Sequence, residues 1–198
     1  MQELVNYLLH LGTLDKQQVD TIASTAIYRH LKVGDYFSEA GKMVNETAFV
    51  LKGILRIGNM PDSGQQTTLY FIAENDFVID MEDSPYQAPL SAYVQAVIKS
   101  ELAVLTAAGL QTLSSAIPAW DTIFKQIIAR TLLDKAARIT PAIPEDATTR
   151  YKDFLEHHSS IASRVPLGHL ASYLGITQQS LSRIRKQLTR RQPPYYGR

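Results

Sequence analysis

The sequence predicts an α+β chain: a β jelly-roll barrel with flanking helices, then a long helix, then a helical C-terminal domain. Three observations carry this. Between residues 28 and 106, short runs of β-formers alternate with turn signals. Residues 120–139, WDTIFKQIIARTLLDKAARI, hold one long helical pattern. The charge then changes sign: residues 1–144 hold 11 Lys+Arg and 15 Asp+Glu, a net −4, whereas residues 145–198 hold 9 and 4, a net +5. An acidic front and a basic tail suit a scaffold or sensor joined to a module that meets a polyanion.

The elements follow in order. Leu4, Leu8 and Leu11 recur at helical spacing over residues 2–11, as do Val19, Ile22, Ala23 and Ala26 over residues 15–27. The β-forming runs are AFVLKG, ILRIGNM, TTLYFI, AYVQAVI and ELAVLT, separated by VGD, EAGK, PDSG, ENDF and DSPYQAP. Many short strands so closely spaced predict two packed sheets or a barrel. Gly34, Gly41, Gly53 and Gly64 punctuate them. In residues 118–139 the apolar positions are Trp120, Ile123, Phe124, Ile127, Ile128, Leu132 and Leu133, wider than one core-facing stripe. Such a helix packs on two sides, against its own barrel and against a second copy of itself. Trp120, Phe124, Ile127 and Thr131 are the expected seam of that homodimer. Pro141 and Pro144 end the helix and mark a hinge. A helix follows at about 145–157, with Tyr151, Phe154 and Leu155 inward, and SSIASRVP at 159–166 reads as a short connector.

Residues 170–188, LASYLGITQQSLSRIRKQL, carry the clearest chemistry. Leu167, Leu170, Ala171 and Leu174 form one buried helical face; Gly175 suits the left-handed turn, and Thr177 can cap the next helix. In that second helix, Leu181, Ile184 and Leu188 face inward, while Gln179, Ser182, Arg183 and Lys186 share the opposite face beside Gln178. This is the pattern of a helix-turn-helix. Arg pairs with guanine O6 and N7, and Gln with adenine N6 and N7. Gln178, Gln179, Ser182 and Arg183 are therefore the expected base readers. Thr177, Arg185, Lys186, Arg190, Arg191 and Arg164 are the expected phosphate contacts.

LASYLGITQQSLSR resembles the helix-turn-helix of the Crp–Fnr family of bacterial transcription regulators, which reads like LA-x-x-LG-[IL]-[ST]-x-x-[ST]-[LIV]-SR. Residues 31–77 are similar to that family's cyclic-nucleotide-binding-type jelly roll. The phrasing RVPLGHLASYLGIT…LSRIRK looks most like effector-unassigned members of a Bacteroidetes-type branch. The resemblance implies four segments: a sensor at 1–117, a dimerisation helix at 118–140, a hinge at 141–144 and a DNA-binding domain at 145–198. It also implies a homodimer on a near-palindromic operator in double-stranded DNA, and RNA polymerase as a partner.

Three departures from the family pattern stand out. Many members have Glu where Gln179 stands, so a changed base preference is expected. Cyclic-nucleotide binders carry Gly-Glu and then Arg-Ser/Thr-Ala; here Ile79-Asp80 and Leu90-Ser91-Ala92 take those places. Asp80, Leu90, Ser91 and Ala92 thus mark a degenerate effector pocket without the phosphate arginine. An anion desolvated against Leu90 would lack a charge partner, so tight cAMP or cGMP binding is not expected. Finally, SSIASRVP is too short for a full hairpin wing, which leaves a winged-helix-like domain with a reduced wing.

Other functions are less well supported. The chain has no cysteine, which excludes disulfides, cysteine-ligated clusters and thiolate zinc sites. Only His30 lies among the strands, so a metal-dependent jelly-roll enzyme lacks its ligands. No nucleophile, Walker or paired-carboxylate motif occurs, and neither an enzymatic activity nor a cofactor is expected. No apolar run nears membrane-spanning length, and MQELVNYLLHLGTLDKQQ lacks a basic leader, which predicts a cytoplasmic protein without a membrane partner. The alternative reading is a ligand-binding or protein-interaction module with a vestigial helix-turn-helix. An unknown small-molecule effector is compatible with either.

Overall fold

The computed structural model describes residues 1–42, 45–60, 66–80, 92–139 and 146–191, without side chains for 80, 135–139, 190 and 191. The chain divides into two compact units, Met1–Thr140 and Pro141–Arg198. The expected hinge at 141–144 lies outside the described residues, as does Gly64.

The first unit opens with α1 (Gln2–Leu9) and α2 (Lys16–Thr25). Asp15 and Gln18 build a reciprocal capping box: the Gln18 N–H donates to Asp15 Oδ1 at 2.8 Å, and the Asp15 N–H donates to Gln18 Oε1 at 3.1 Å. Eight strands follow: β1 (Ile27–Leu31), β2 (Tyr36–Ser38), β3 (Glu46–Lys52), β4 (Leu55–Asn59), β5 (Thr67–Ile72), β6 (Phe77–Asp80), β7 (Ala92–Ala96) and β8 (Ser100–Thr106). They form two antiparallel four-stranded sheets, ordered β1-β8-β3-β6 and β2-β7-β4-β5. This interleaving of early and late strands is a jelly roll.

Glycine is obligatory at the β3–β4 corner. Gly53, between β3 and β4, has φ +108, and a Cβ there would stand 2.6 Å from Ser100 Cα. Only glycine serves at such a corner.

α3 (Ala107–Ala116) and α4 (Trp120–Ile139) complete the unit. Strand alternation turns Phe49, Phe77, Ala103 and Leu105 to one face of the first sheet. Leu4 and Leu8 of α1, Ile22 of α2, Leu113 of α3 and Trp120, Ile123 and Ile127 of α4 bury that face. Tyr7 lies 5.4 Å from both Phe49 and Phe77, whose rings are 5.1 Å apart.

The expected seam residues Trp120, Phe124, Ile127 and Thr131 differ in burial within their own unit. Trp120 and Ile127 are 1% and 0% exposed within their own unit. Phe124 stacks on Trp120 at 6.2 Å and packs against the same core. Trp120 and Ile127 cover the first sheet, and Phe124 is half-buried beside them. Leu133, by contrast, is 72% exposed, and Ile128, Thr131 and Leu132 are half-buried.

The second unit holds α5 (Ala147–His157), α6 (Ser159–Arg164), α7 (Leu167–Tyr173) and α8 (Gln178–Arg191). The stretch read as a connector is helix α6, whose Ile161 and Ala162 are buried. Six residues are too few for periodicity to announce a helix. Among the described residues this unit has no strand. Its core is Tyr151, Phe154, Ile161, Val165, Leu170, Ala171, Leu174 and Leu181.

Candidate nucleic-acid interface

The helix pair α7–α8 is built as its residue spacing requires. Leu170, Ala171 and Leu174 are at most 3% exposed. α7 closes in a two-bond cap: the Gly175 N–H donates to Ser172 O at 3.1 Å, and the Ile176 N–H donates to Ala171 O at 3.0 Å. Gly175 takes φ +67, the left-handed conformation this cap requires. Two residues later Thr177 Oγ1 accepts the Ser180 N–H at 3.1 Å and starts α8. Cap and start sit so close that α8 leaves α7 in a fixed direction.

On α8 the inward residue is Leu181, fully buried, with Ile184 and Leu188 half-buried behind it. Gln178, Gln179, Arg183, Arg185 and Lys186 are exposed, and Ser182 is half-buried between them. The helix therefore shows two amides at its N-terminal end and three cations further along; Gln179, Arg183 and Lys186 lie opposite Leu181, and Gln178 and Arg185 flank it. An amide and a guanidinium at that spacing can donate to base edges in a major groove, and the cations beyond can meet phosphates. Gln178 differs from its neighbours. Its Oε1 would lie 3.4 Å from a Cβ placed on Gly168, so its amide leans back against the start of α7.

The phosphate candidates separate. Thr177 is exposed, but its hydroxyl is occupied as the α8 cap. Arg164 is exposed in the last turn of α6. Arg190 and Arg191 continue α8, with side chains outside the described residues.

In the first unit, the effector positions are only partly described. Asp80 ends β6, its backbone opposite Glu46. Ala92 begins β7 opposite Asn59. Leu90 and Ser91 lie outside the described residues. Tyr70, Tyr93 and Tyr151 are buried core residues, and Tyr86 is outside the described set. Among the described residues no three His, Asp or Glu side chains gather to hold a metal, and no helix is long and apolar enough to cross a membrane. The sequence reading passed over one polar site: Arg56 of β4, a charged side chain only 4% exposed.

No protein-family model matches the chain, and no curated protein matches it by sequence. Solved structures do match. FixK2 from Bradyrhizobium japonicum superposes with a TM-score of 0.70 at 16% identity, over 87% of this chain and 89% of that one. The c-di-GMP-responsive global regulator CLP of Xanthomonas campestris gives 0.68 at 19%, over 89% and 92%. The Thermus thermophilus catabolite activator protein gives 0.54 at 21%, over 95% and 91%. These likenesses span both units, and the chain has the fold of Crp/Fnr regulators: a cyclic-nucleotide-binding-like domain followed by a helical C-terminal domain.

Proposed function

We propose that the chain is a homodimeric, sequence-specific DNA-binding transcription regulator of the Crp–Fnr type. The carrying observation is α8: Leu181 is buried against its own unit, while Gln179, Arg183 and Lys186 stand exposed on the opposite side and Arg185 is exposed at its flank. Base readout belongs to Gln178, Gln179, Ser182 and Arg183, and phosphate contacts to Arg185 and Lys186 with Arg164, Arg190 and Arg191. A two-fold pair would set its recognition helices about 34 Å apart, one DNA turn, on a near-palindromic site. The jelly roll is the sensor or scaffold, and RNA polymerase is a partner at the promoter. The segment at 141–144 is the hinge about which the DNA-reading units reorient. The kinship of fold with named regulators, rather than with enzymes, agrees with this.

The sensor does not answer to cAMP. Leu90 stands where a cyclic-phosphate arginine would be required, and desolvating a phosphate there without a charge partner is unfavourable. Micromolar cAMP affinity by calorimetry would refute this part. The function as a whole is tested by selecting bound sequences from a random duplex pool with the ligand-free protein and with Arg183→Ala. A palindromic consensus that the variant loses is expected. Equal, sequence-blind binding by both proteins would remove the proposal.

A further inference from the structure

A second polar constellation lies in the jelly roll, apart from any DNA contact. Arg56 sits mid-strand in β4, opposite Gln95 of β7, and Gly58 two residues on is opposite Tyr93. Arg56 is 4% exposed and Tyr93 1%. A guanidinium so deeply buried ordinarily has a carboxylate beside it. Here its partners are neutral oxygens. Nε and Nη2 donate to Gln95 Oε1 at 3.0 and 2.7 Å, Nη2 to Gln66 Oε1 at 2.6 Å, and Nη1 to Thr68 Oγ1 at 3.2 Å. The guanidinium carbon also lies 5.2 Å from the Tyr93 ring centroid. Among the described residues no acid pairs with it.

The constellation also has donors to spare. Arg56 has five N–H groups, and its contacts use one of the two on Nη1. The Tyr93 hydroxyl is buried and has no hydrogen-bond partner among the described residues. Tyr36, edge-on to Tyr93 at 5.5 Å and 37% exposed, accepts from Gln66 Nε2 at 3.1 Å, and its O–H can donate elsewhere. The two glutamines are oriented for this role: Gln95 Nε2 donates to Gly34 O at 2.9 Å, so its oxygen faces the cation. Burial works against the charged form of both groups, lowering the pKa of Arg56 and raising that of Tyr93.

From a buried cation with no acid partner among the described residues, and from the O–H and N–H donors beside it, we infer that Arg56, Tyr93 and Tyr36 form a binding site for a small oxyanion, a phosphate or carboxylate group. The anion supplies the missing negative charge and accepts from Arg56 Nη1 and the Tyr93 hydroxyl. Gln66, Gln95 and Thr68 hold the guanidinium in place. Strands β4, β5 and β7 all contribute, so occupancy stiffens the second sheet.

The test uses the full chain at constant ionic strength balanced with chloride. Inorganic phosphate, sulfate and acetate are titrated in turn, read by calorimetry and by melting temperature. At least one oxyanion binds saturably and raises the melting temperature; phosphate against acetate tells which group the site prefers. Tyr93→Phe, which keeps the ring beneath Arg56 and removes only the unpartnered hydroxyl, weakens binding by about tenfold or more. Arg56→Gln abolishes it; where that variant does not fold, Tyr93→Phe decides. No saturable response to any of the three anions, or an undiminished response in Tyr93→Phe, overturns the inference.

Discussion

The N–H of Ile176 donates to the carbonyl of Ala171 at 3.0 Å, across the turn that joins α7 to α8. Ala171 is in the buried face of α7, and Ile176 is the last residue before the Thr177 cap of α8. One backbone bond thus couples the packing of the first helix to the direction of the second. That direction decides where Gln179 and Arg183 point.

Gly175 is the residue that makes this bond possible, at φ +67. Nothing lies within 4 Å of a Cβ placed there, so the penalty for Gly175→Ala is conformational alone. It is expected to destabilise the second unit by about 1 kcal/mol. Gly175→Asn should recover part of this, because Asn tolerates the left-handed region better than Ala. Thermal melting of the three proteins checks the order Gly, Asn, Ala. Equal melting temperatures would mean that the turn does not limit stability.

The helix-turn-helix was legible because every signal there is local. Leu170, Ala171 and Leu174 lie within one helix, and Gly175 and Thr177 act on their immediate neighbours. The strands were legible as a class, since β-formers and turn residues alternate from Ile27 to Thr106. What covers a hydrophobic residue was not. The pattern of α4 shows that Trp120 and Ile127 must be buried, but only the fold shows that Phe49, Phe77 and Leu105 bury them. Arg56 was invisible for the same reason. Its partner Gln95 is 39 residues away and reaches it only through the β4–β7 pairing.

The burial of Trp120 and the exposure of Leu133 predict opposite phenotypes along one helix. Trp120→Ala should cost the first unit about 3–5 kcal/mol by leaving a cavity under the sheet. In the proposed homodimer, Leu133→Glu should leave the melting of a dilute monomer unchanged and shift the mass measured by light scattering from dimer towards monomer. A dimer untouched by Leu133→Glu would place the interface elsewhere.

Asp146 predicts an acid response of the second unit. Its side chain caps α5, accepting the N–H of Thr148 at 2.7 Å and of Thr149 at 3.0 Å. These bonds, that from Thr149 first, hold its carboxyl below the ordinary 3.8. A carboxylate with a depressed folded-state value contributes stability above its unfolded value and loses it as pH falls through the folded one. The stability difference between the wild type and Asp146→Ala should therefore be present at neutral pH and shrink on acidification below about 4. Asp146→Asn retains a capping oxygen and should fall between them. A difference that does not vary with pH would assign the cap no ionic component.

The cations of α8 can be sorted by salt. A side chain that neutralises a phosphate releases a counterion, so its removal makes the slope of log K against log salt less negative by about 0.9. Arg185→Ala and Lys186→Ala should each show that change while leaving the ratio of specific to random-sequence affinity nearly intact. Arg183→Ala should instead lose about 1–3 kcal/mol of discrimination at one base pair of each half-site. Gln179→Glu tests the amide directly. A carboxylate accepts only, so the variant should turn its preference towards cytosine, which offers a donor at N4. The bases that change identify which half-site position α8 presents to residue 179. A consensus unaltered by both Arg183→Ala and Gln179→Glu would mean that sequence is read by something other than this face of α8.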